Sequence, residues 1–346
     1  MIIKENFDLI NKLWNTSNFF ISKSFIKCYT NNNKNLKHLF IKLNNSLIYA
    51  QFFNIKLKKS SNYLNNNLLA KIIFNQFKIK TLYLTNSFFT NAKSYEIDSK
   101  IDLDFFLKHV NNQINYFLLV IPDFLYEKFE IYNNDFVKVE IEEEMLMNID
   151  KKWRNTEDYK ASLKTKYRKK IKIIEIKSKS LKIVEFGKKD IKINEVKIQK
   201  LFNQVLEKSK FNGPRFNTST LIDLHKNKIC KIYGYLLKDD LIGFTSEIIY
   251  KNQLFSYYVG FDKKLNKDYS IYGRMLLETI KNGIGQKCNK IVFGRTANEY
   301  KSNFGATPKK SYIYLKTKTK FSNFFMSFIF KKLSKSNWTQ RSPFKK

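Results

Sequence analysis

Cysteine, proline, glycine, histidine and arginine are all scarce in this chain of 346 residues. The three Cys, at 28, 230 and 288, show no CxxC or Cys–His spacing, which argues against a disulfide framework and a cysteine zinc site. His38, His109 and His225 lie far apart and in no motif, so no metal cluster is expected. Four Pro and ten Gly exclude collagen-like and Pro-rich chains. No apolar run reaches the roughly 20 residues of a membrane span; Phe117–Pro122 and Phe321–Phe330 are too short. The N-terminal MIIKENFDLINKLW carries acids and lacks the apolar core of a signal peptide, so a reducing, cytoplasmic setting is expected.

Apolar side chains are plentiful at 43 %, aromatic ones at 16 %, enough for packed cores in two domains of ordinary size. The net charge is +34, and only six of the 64 basic residues are Arg. Residues 1–150 hold 18 basic and 15 acidic side chains, residues 151–346 hold 46 and 15, and no acid follows Glu299. A lysine-rich composition explains the excess but not its concentration in one half. That asymmetry points to an anionic partner for the second half.

Residues 36–58 alternate around Asn44-Asn45 and read as a hairpin. Helical spacing marks 65–77, 103–114 and 123–129, with strands at 81–84, 116–121 and 136–141. The acidic run Glu140–Glu144 then gives way to basic 151–182, which places a boundary near 148. Asn155–Ile174 reads as one basic amphipathic helix, with Tyr159, Leu163, Tyr167, Ile171 and Ile174 on its apolar stripe. Beyond it come a strand at 181–186, a helix at 196–208, strands at 230–237, 241–250 and 253–260, and a helix at 270–283. A strand at 290–294, a helix at 297–304 and a strand at 311–316 end the series. The expected fold class is mixed α/β, with mostly antiparallel sheets flanked by helices. The expected domains are 1–148, 149–320 and a basic aromatic tail, 321–346.

The stretches DYKASLKTKYRKK (158–170), IYGYLLKDDLIGFTSEIIYKNQLFSYYVGFD (232–262), DYSIYGRMLLETIKNGIGQKCNKIVFGRTANEYKSNFGATP (268–308) and YIYL (312–315) carry a resemblance. In that order they resemble the GNAT acyltransferase fold, nearest to FemAB-like and cellulose-biosynthesis-type acetyltransferase-domain proteins. The resemblance implies two GNAT-like units, the first degenerate, and a cleft where strands 253–260 and 290–294 splay apart. It also implies acyl-CoA as donor, its pyrophosphate at the N-terminus of the helix from Ser270. The family's glycine loop before that helix is matched here only by Gly273; Asp268 stands where Arg or Gln is expected and Ile271 where the first Gly is expected. Tyr269, Ser270, Tyr272, Arg274 and Lys267 fall around the same donor site. The family often places a Tyr four residues before a terminal Gly as proton donor. Counting back four from Gly305 gives Lys301, one residue past Tyr300.

The remaining candidates come from position. Arg295 and Thr296 follow a buried strand where the cleft opens, with Glu299 four residues on as an ion-pair partner for Arg295. Asp262 and Glu247 could serve as bases for an amine, and Tyr258 and Arg215 could contact the acceptor. The leading expectation is N-acyl transfer from acyl-CoA to a small or cell-envelope amine. One alternative is a Fem-type transferase drawing on aminoacyl-tRNA, which suits the basic half. Another is a non-catalytic protein that binds nucleic acid or an anionic membrane, the latter through residues 316–335.

Overall fold

The computed structural model describes residues 1–56, 78–132, 135–207, 213–331 and 337–345. The helix expected over 65–77 lies outside the described residues. The strands are β1 (Ile2–Lys4), β2 (Lys37–Leu43), β3 (Ser46–Lys56), β4 (Lys78–Tyr83), β5 (Leu118–Pro122), β6 (Val137–Asn148), β7 (Lys182–Glu185), β8 (Cys230–Leu237), β9 (Asp240–Tyr250), β10 (Gln253–Phe261), β11 (Lys290–Gly294) and β12 (Thr307–Thr317), with short two-residue strands besides. The longer helices are α1 (Lys23–Asn32), α2 (Leu103–Gln113), α3 (Thr156–Ser162), α4 (Thr165–Lys177), α5 (Lys188–Glu207), α6 (Ser219–Lys226), α7 (Ile271–Gly285), α8 (Asn298–Ser302) and α9 (Lys320–Lys331). Among the described residues, no helix is long and apolar enough to cross a membrane.

The chain divides into two compact units. The first is Met1–Ile141, Lys210–Phe216 and Ser311–Lys335; the second is Glu142–Ser209, Asn217–Lys310 and Ser336–Lys346. The division falls within β6, a few residues before the charge break near 148. The expected tail 321–346 is shared: α9 counts with the first unit and the last residues with the second.

In the first unit β1, β2, β3 and β4 run antiparallel in sequence order, β4 pairs parallel with β5, and β5 pairs antiparallel with Ile313–Thr317. Asn44 takes φ 51° at the β2–β3 turn, as a tight hairpin requires. Asp102 caps α2 by accepting from the Phe105 N–H at 3.0 Å, and α2 lays Phe106, Leu107 and Val110 onto a core with Leu82, Leu119 and Ile121. Pairing of β4 with β5 runs to Tyr83, where β4 ends, so these strands do not splay.

In the second unit β7 through β10 form an antiparallel meander, β10 pairs parallel with β11, and β11 pairs antiparallel with the end of β6. Lys238-Asp239 and Lys251-Asn252 take positive φ at its two tight turns. Helix α7 buries Met275, Leu276, Leu277 and Ile280 against the sheet. Gly260 gives α5 its close approach: a Cβ there would stand 2.6 Å from the Phe202 nitrogen and 2.4 Å from the Phe244 ring.

The single helix expected over Asn155–Ile174 is two. Leu163 and Lys164 are extended and break it. Leu163 forms a β-bridge with Phe344, and the Lys164 N–H donates to the Pro343 carbonyl at 2.8 Å. A tertiary backbone pairing thus replaces two helical bonds, which no local pattern in 155–174 announces. Helix α5 also begins earlier than expected, at Lys188, where the Asp190 carboxylate accepts from the Gly187 N–H.

Candidate active site

Strand β10 leaves β11 early. Their parallel pairing covers Gln253–Phe255 against Lys290–Val292 and stops, while β10 continues to Phe261 paired only with β9. The splay opens at the C-terminal ends of both strands, the side on which open α/β sheets bind ligands. Opposite Ser246, β10 carries two residues, Tyr257 and Tyr258, a β-bulge at the root of the splay. The Ser246 hydroxyl locks it, accepting from the Tyr258 N–H and donating to the Tyr258 carbonyl, each at 2.8 Å. The Phe202 ring meets Tyr258 edge-on at 5.2 Å.

Helix α7 points its N-terminus toward this end. Phe261 stacks on Tyr272 at 5.5 Å, and Tyr272 stacks on Tyr300 at 5.6 Å. Ser270 is left-handed (φ 48°) and its side chain makes no cap; instead the Asn266 Oδ1 accepts from the Tyr272 N–H at 2.8 Å. Gly273 is close-packed rather than open: a Cβ there would stand 2.6 Å from the Tyr300 hydroxyl and 2.9 Å from Ile174. Tyr269 packs into the apolar cluster around Ile271 and Met275. The Lys267 carbonyl accepts from Lys177 while its side chain is exposed. Arg274 turns away from the donor end. It grips Glu278 at 2.7 Å and reaches Ser178, lining a separate cavity of about 360 Å³ with Tyr233, Glu185 and Asn282.

The two proposed bases, Asp262 just past β10 and Glu247 on β9, each have local partners. Asp262 accepts from the N–H groups of Lys264 and Leu265, which makes it the former of the turn after β10. Glu247 is 3 % exposed beneath α7, where its Oε2 accepts from Asn282 at 3.0 Å and its Oε1 has no partner. Burial pushes its carboxyl up to about 7, with Thr279 and Asn282 opposing that shift. Arg215 belongs to the first unit, where its carbonyl accepts from Asn35 at 3.2 Å.

The end of β11 is built around Lys301. This side chain is 4 % exposed, and its ammonium donates to the carbonyls of Phe293, Gly294 and Arg295 at 2.9, 3.1 and 2.8 Å. Burial pulls its pKa down to about 7, while the charges of Glu142 and Glu144 hold it up. All three ammonium protons are therefore engaged with backbone carbonyls, which clamps the strand end. Above the clamp Gly294, Thr296 and Ala297 all take positive φ, of 70°, 68° and 52°. Left-handed Thr and Ala side by side are strained, and such strain concentrates at functional sites.

Arg295 donates from Nε to the Glu142 carbonyl at 3.1 Å. The expected ion pair of Arg295 with Glu299 is replaced by one of Glu299 with Arg341, a residue too distant in sequence to be read as a partner. Residues 337–345 strap this end. Trp338 donates to Glu143 at 2.9 Å, Gln340 to the Ala306 carbonyl at 3.1 Å, and the Arg341 N–H to Ser302 at 3.1 Å. A cavity of about 220 Å³ remains, lined by Glu142, Thr296, Ala297, Asn298, Glu299, Tyr300 and Trp338. Of these, Glu142, Asn298 and Trp338 escaped sequence reasoning. The one available signal was the acidic run Glu142–Glu144, just before the basic half begins.

No protein-family model and no curated protein matches the sequence. Solved structures do. FemX superposes with a TM-score of 0.51 at 9 % identity, over 94 % of this chain and 100 % of that one. L-PGS from Bacillus licheniformis gives 0.51 at 10 % identity, over 91 % and 99 %. A conserved protein of unknown function from Bacteroides thetaiotaomicron gives 0.51 at 11 %, over 91 % and 99 %. At these identities the likeness establishes the fold alone: the chain shares the fold of FemX and L-PGS, in keeping with the GNAT-type fold that the sequence resemblance implied.

Proposed function

We propose that the second unit transfers an acyl or aminoacyl group from an activated carrier to an amine. The splay between β10 and β11 carries this reading, because it opens a slot at the strand ends where a carbonyl can meet backbone donors. In such a transfer the amine nitrogen bonds to the carbonyl carbon, the carbon–oxygen or carbon–sulfur bond to the carrier breaks, and the leaving atom takes a proton. A cysteine acyl-enzyme is not called for. Cys28, Cys230 and Cys288 are buried, and burial pushes the thiols of Cys230 and Cys288 up, away from thiolate.

Aminoacyl-tRNA is the donor class that the geometry favours. The Gly273 face is filled by Tyr300 and Ile174, and the Tyr272 N–H is taken by Asn266, so little of the α7 terminus remains to cradle a pyrophosphate. Beside it α4 exposes Lys166, Arg168, Lys169, Lys170 and Lys172, and Lys264 and Lys267 continue the charge. An extended basic surface suits a polyanionic carrier. Acyl-CoA, the donor expected from the sequence resemblance, is the second reading. It rests on the lysines near the α7 terminus alone. The acceptor class implied by the resemblance is a cell-envelope amine.

The test is transfer of radiolabel from aminoacyl-tRNA and from acetyl-CoA to a panel of primary amines. Label moving from tRNA, with a rate falling steeply as salt rises, supports the reading. Transfer from acetyl-CoA alone overturns the donor assignment. Failure with both donors across the panel overturns the transferase.

A further inference from the structure

The 220 Å³ cavity at the end of β11 is acidic and aromatic in a chain of net charge +34. Glu142 and Glu299 line it, and Glu143 stands directly behind two more of its walls, Asn298 and Trp338. Glu299 is occupied by Arg341, but Glu142 makes no ion pair among the described residues. The buried cation Lys301 is held by three carbonyls, and Arg295 meets Glu142 at its backbone carbonyl.

Asn298 adds an independent observation. It is 8 % exposed, and its Nδ2 donates to the Glu143 carboxylate at 3.2 Å. A carboxylate accepts and cannot donate, so this bond fixes which way the amide faces. Its Oδ1 is then left as a buried acceptor without a partner. Such an atom costs about 1–3 kcal/mol unless a donor reaches it. Trp338 supplies the third element. Its Nε1–Glu143 bond fixes the indole as a wall of the cavity, and an indole face attracts a cation. The strained Thr296–Ala297 turn sets the rim.

We infer that this cavity is a recognition site for a primary ammonium group, received by the Glu142 carboxylate and the Asn298 Oδ1 against the ring of Trp338. Two acceptors and an aromatic ring select a compact cation with several N–H groups over an alcohol or an anion. Its sense as the acceptor's anchoring point rests on the transferase reading; the binding itself does not.

Calorimetric titration of the full chain with n-butylamine and with n-butanol at neutral pH tests the site. Butylammonium should bind saturably and at least tenfold more tightly than butanol. Glu142→Gln and Asn298→Leu should each weaken the amine at least fivefold, and Trp338→Leu likewise, with folding verified by circular dichroism. The Asn298 variant removes the orphaned acceptor, so it should fold even if a Glu142 variant does not. Equal affinity for amine and alcohol, or unchanged amine affinity in folded Glu142→Gln and Asn298→Leu, overturns the inference. Amine binding without any acyl transfer would sink the transferase and leave the site standing. Transfer whose KM for the amine ignores these variants would do the reverse.

Discussion

The hydroxyl of Tyr300 stands 2.6 Å from where a side chain on Gly273 would begin. The glycine that looked like a relic of a pyrophosphate loop thus serves packing: it lets the Tyr300–Tyr272–Phe261 stack close over α7. Gly273→Val should cost about 1–3 kcal/mol, because Tyr300 and Ile174 must both move. Helix propensity pulls the other way by only a few tenths of a kcal/mol. Urea unfolding checks it. Unchanged stability together with weaker CoA binding would return Gly273 to the donor site.

Much of the second unit was legible. The three meander strands announce themselves by alternation between Asp239-Asp240 and Lys251-Asn252, and the apolar Ile291–Phe293 marks β11. The splay followed from the family order and is seen at Phe255/Val292. What stayed hidden is what depends on distant partners. Asp262 and Glu247 are acids in plausible places, but only the turn amides at 264 and 265 and Asn282 on α7 decide what those carboxylates do. Lys301 is marked in the sequence by its spacing to Gly305, but only the carbonyls of 293–295 show what holds its ammonium. Trp338 lies in a lysine-rich tail with no periodicity, and only Glu143 gives it a place.

Lys301→Met should remove three donors from three strand-end carbonyls at a 4 % exposed position. Leaving such acceptors unmet should cost about 3 kcal/mol. Lys301→Arg should not restore it, since a planar fork cannot meet three carbonyls converging on one nitrogen. Thermal and urea unfolding measure this. A variant of normal stability with turnover abolished would instead make Lys301 a proton donor.

Glu247 should make stability fall as pH rises. Its carboxyl is raised from 4.5 to about 7 in the fold. Below pH 4.5 both folded and unfolded forms hold the proton and the full stability is present. Above that the unfolded chain ionises first, and about 3 kcal/mol should be lost by the time pH passes 7. His38 works in the opposite sense over an overlapping range. Burial lowers its imidazole to about 4, so its contribution is present above 6.5 and lost as pH falls. The difference between wild type and Glu247→Gln is therefore the readout. The variant should gain on wild type from pH 5 to pH 8 in urea midpoints, and a constant difference would show that Glu247 ionises normally.

The strap should matter most where it meets Gly305. That residue takes φ 102°, and a Cβ on it would lie 2.3 Å from the Phe344 ring, which also packs at 5.5 Å from Trp153 and 6.3 Å from Tyr159. The same segment breaks the helix at Leu163 and pairs Arg341 with Glu299. Phe344→Ala should therefore cost about 2 kcal/mol, less than a fully buried ring because Phe344 is only partly covered. Gly305→Ala should cost more, combining an unfavourable φ with displacement of that ring. With the Phe344 ring removed, Leu163 and Lys164 should be released from Phe344 and Pro343, leaving the Lys164 amide without its tertiary acceptor. Hydrogen exchange reads this at the Lys164 amide, whose present acceptor is the Pro343 carbonyl. Phe344→Ala should speed exchange there well before the core of β9 and β10 is affected. Uniform acceleration across the second unit would mean that the strap contributes only to global stability.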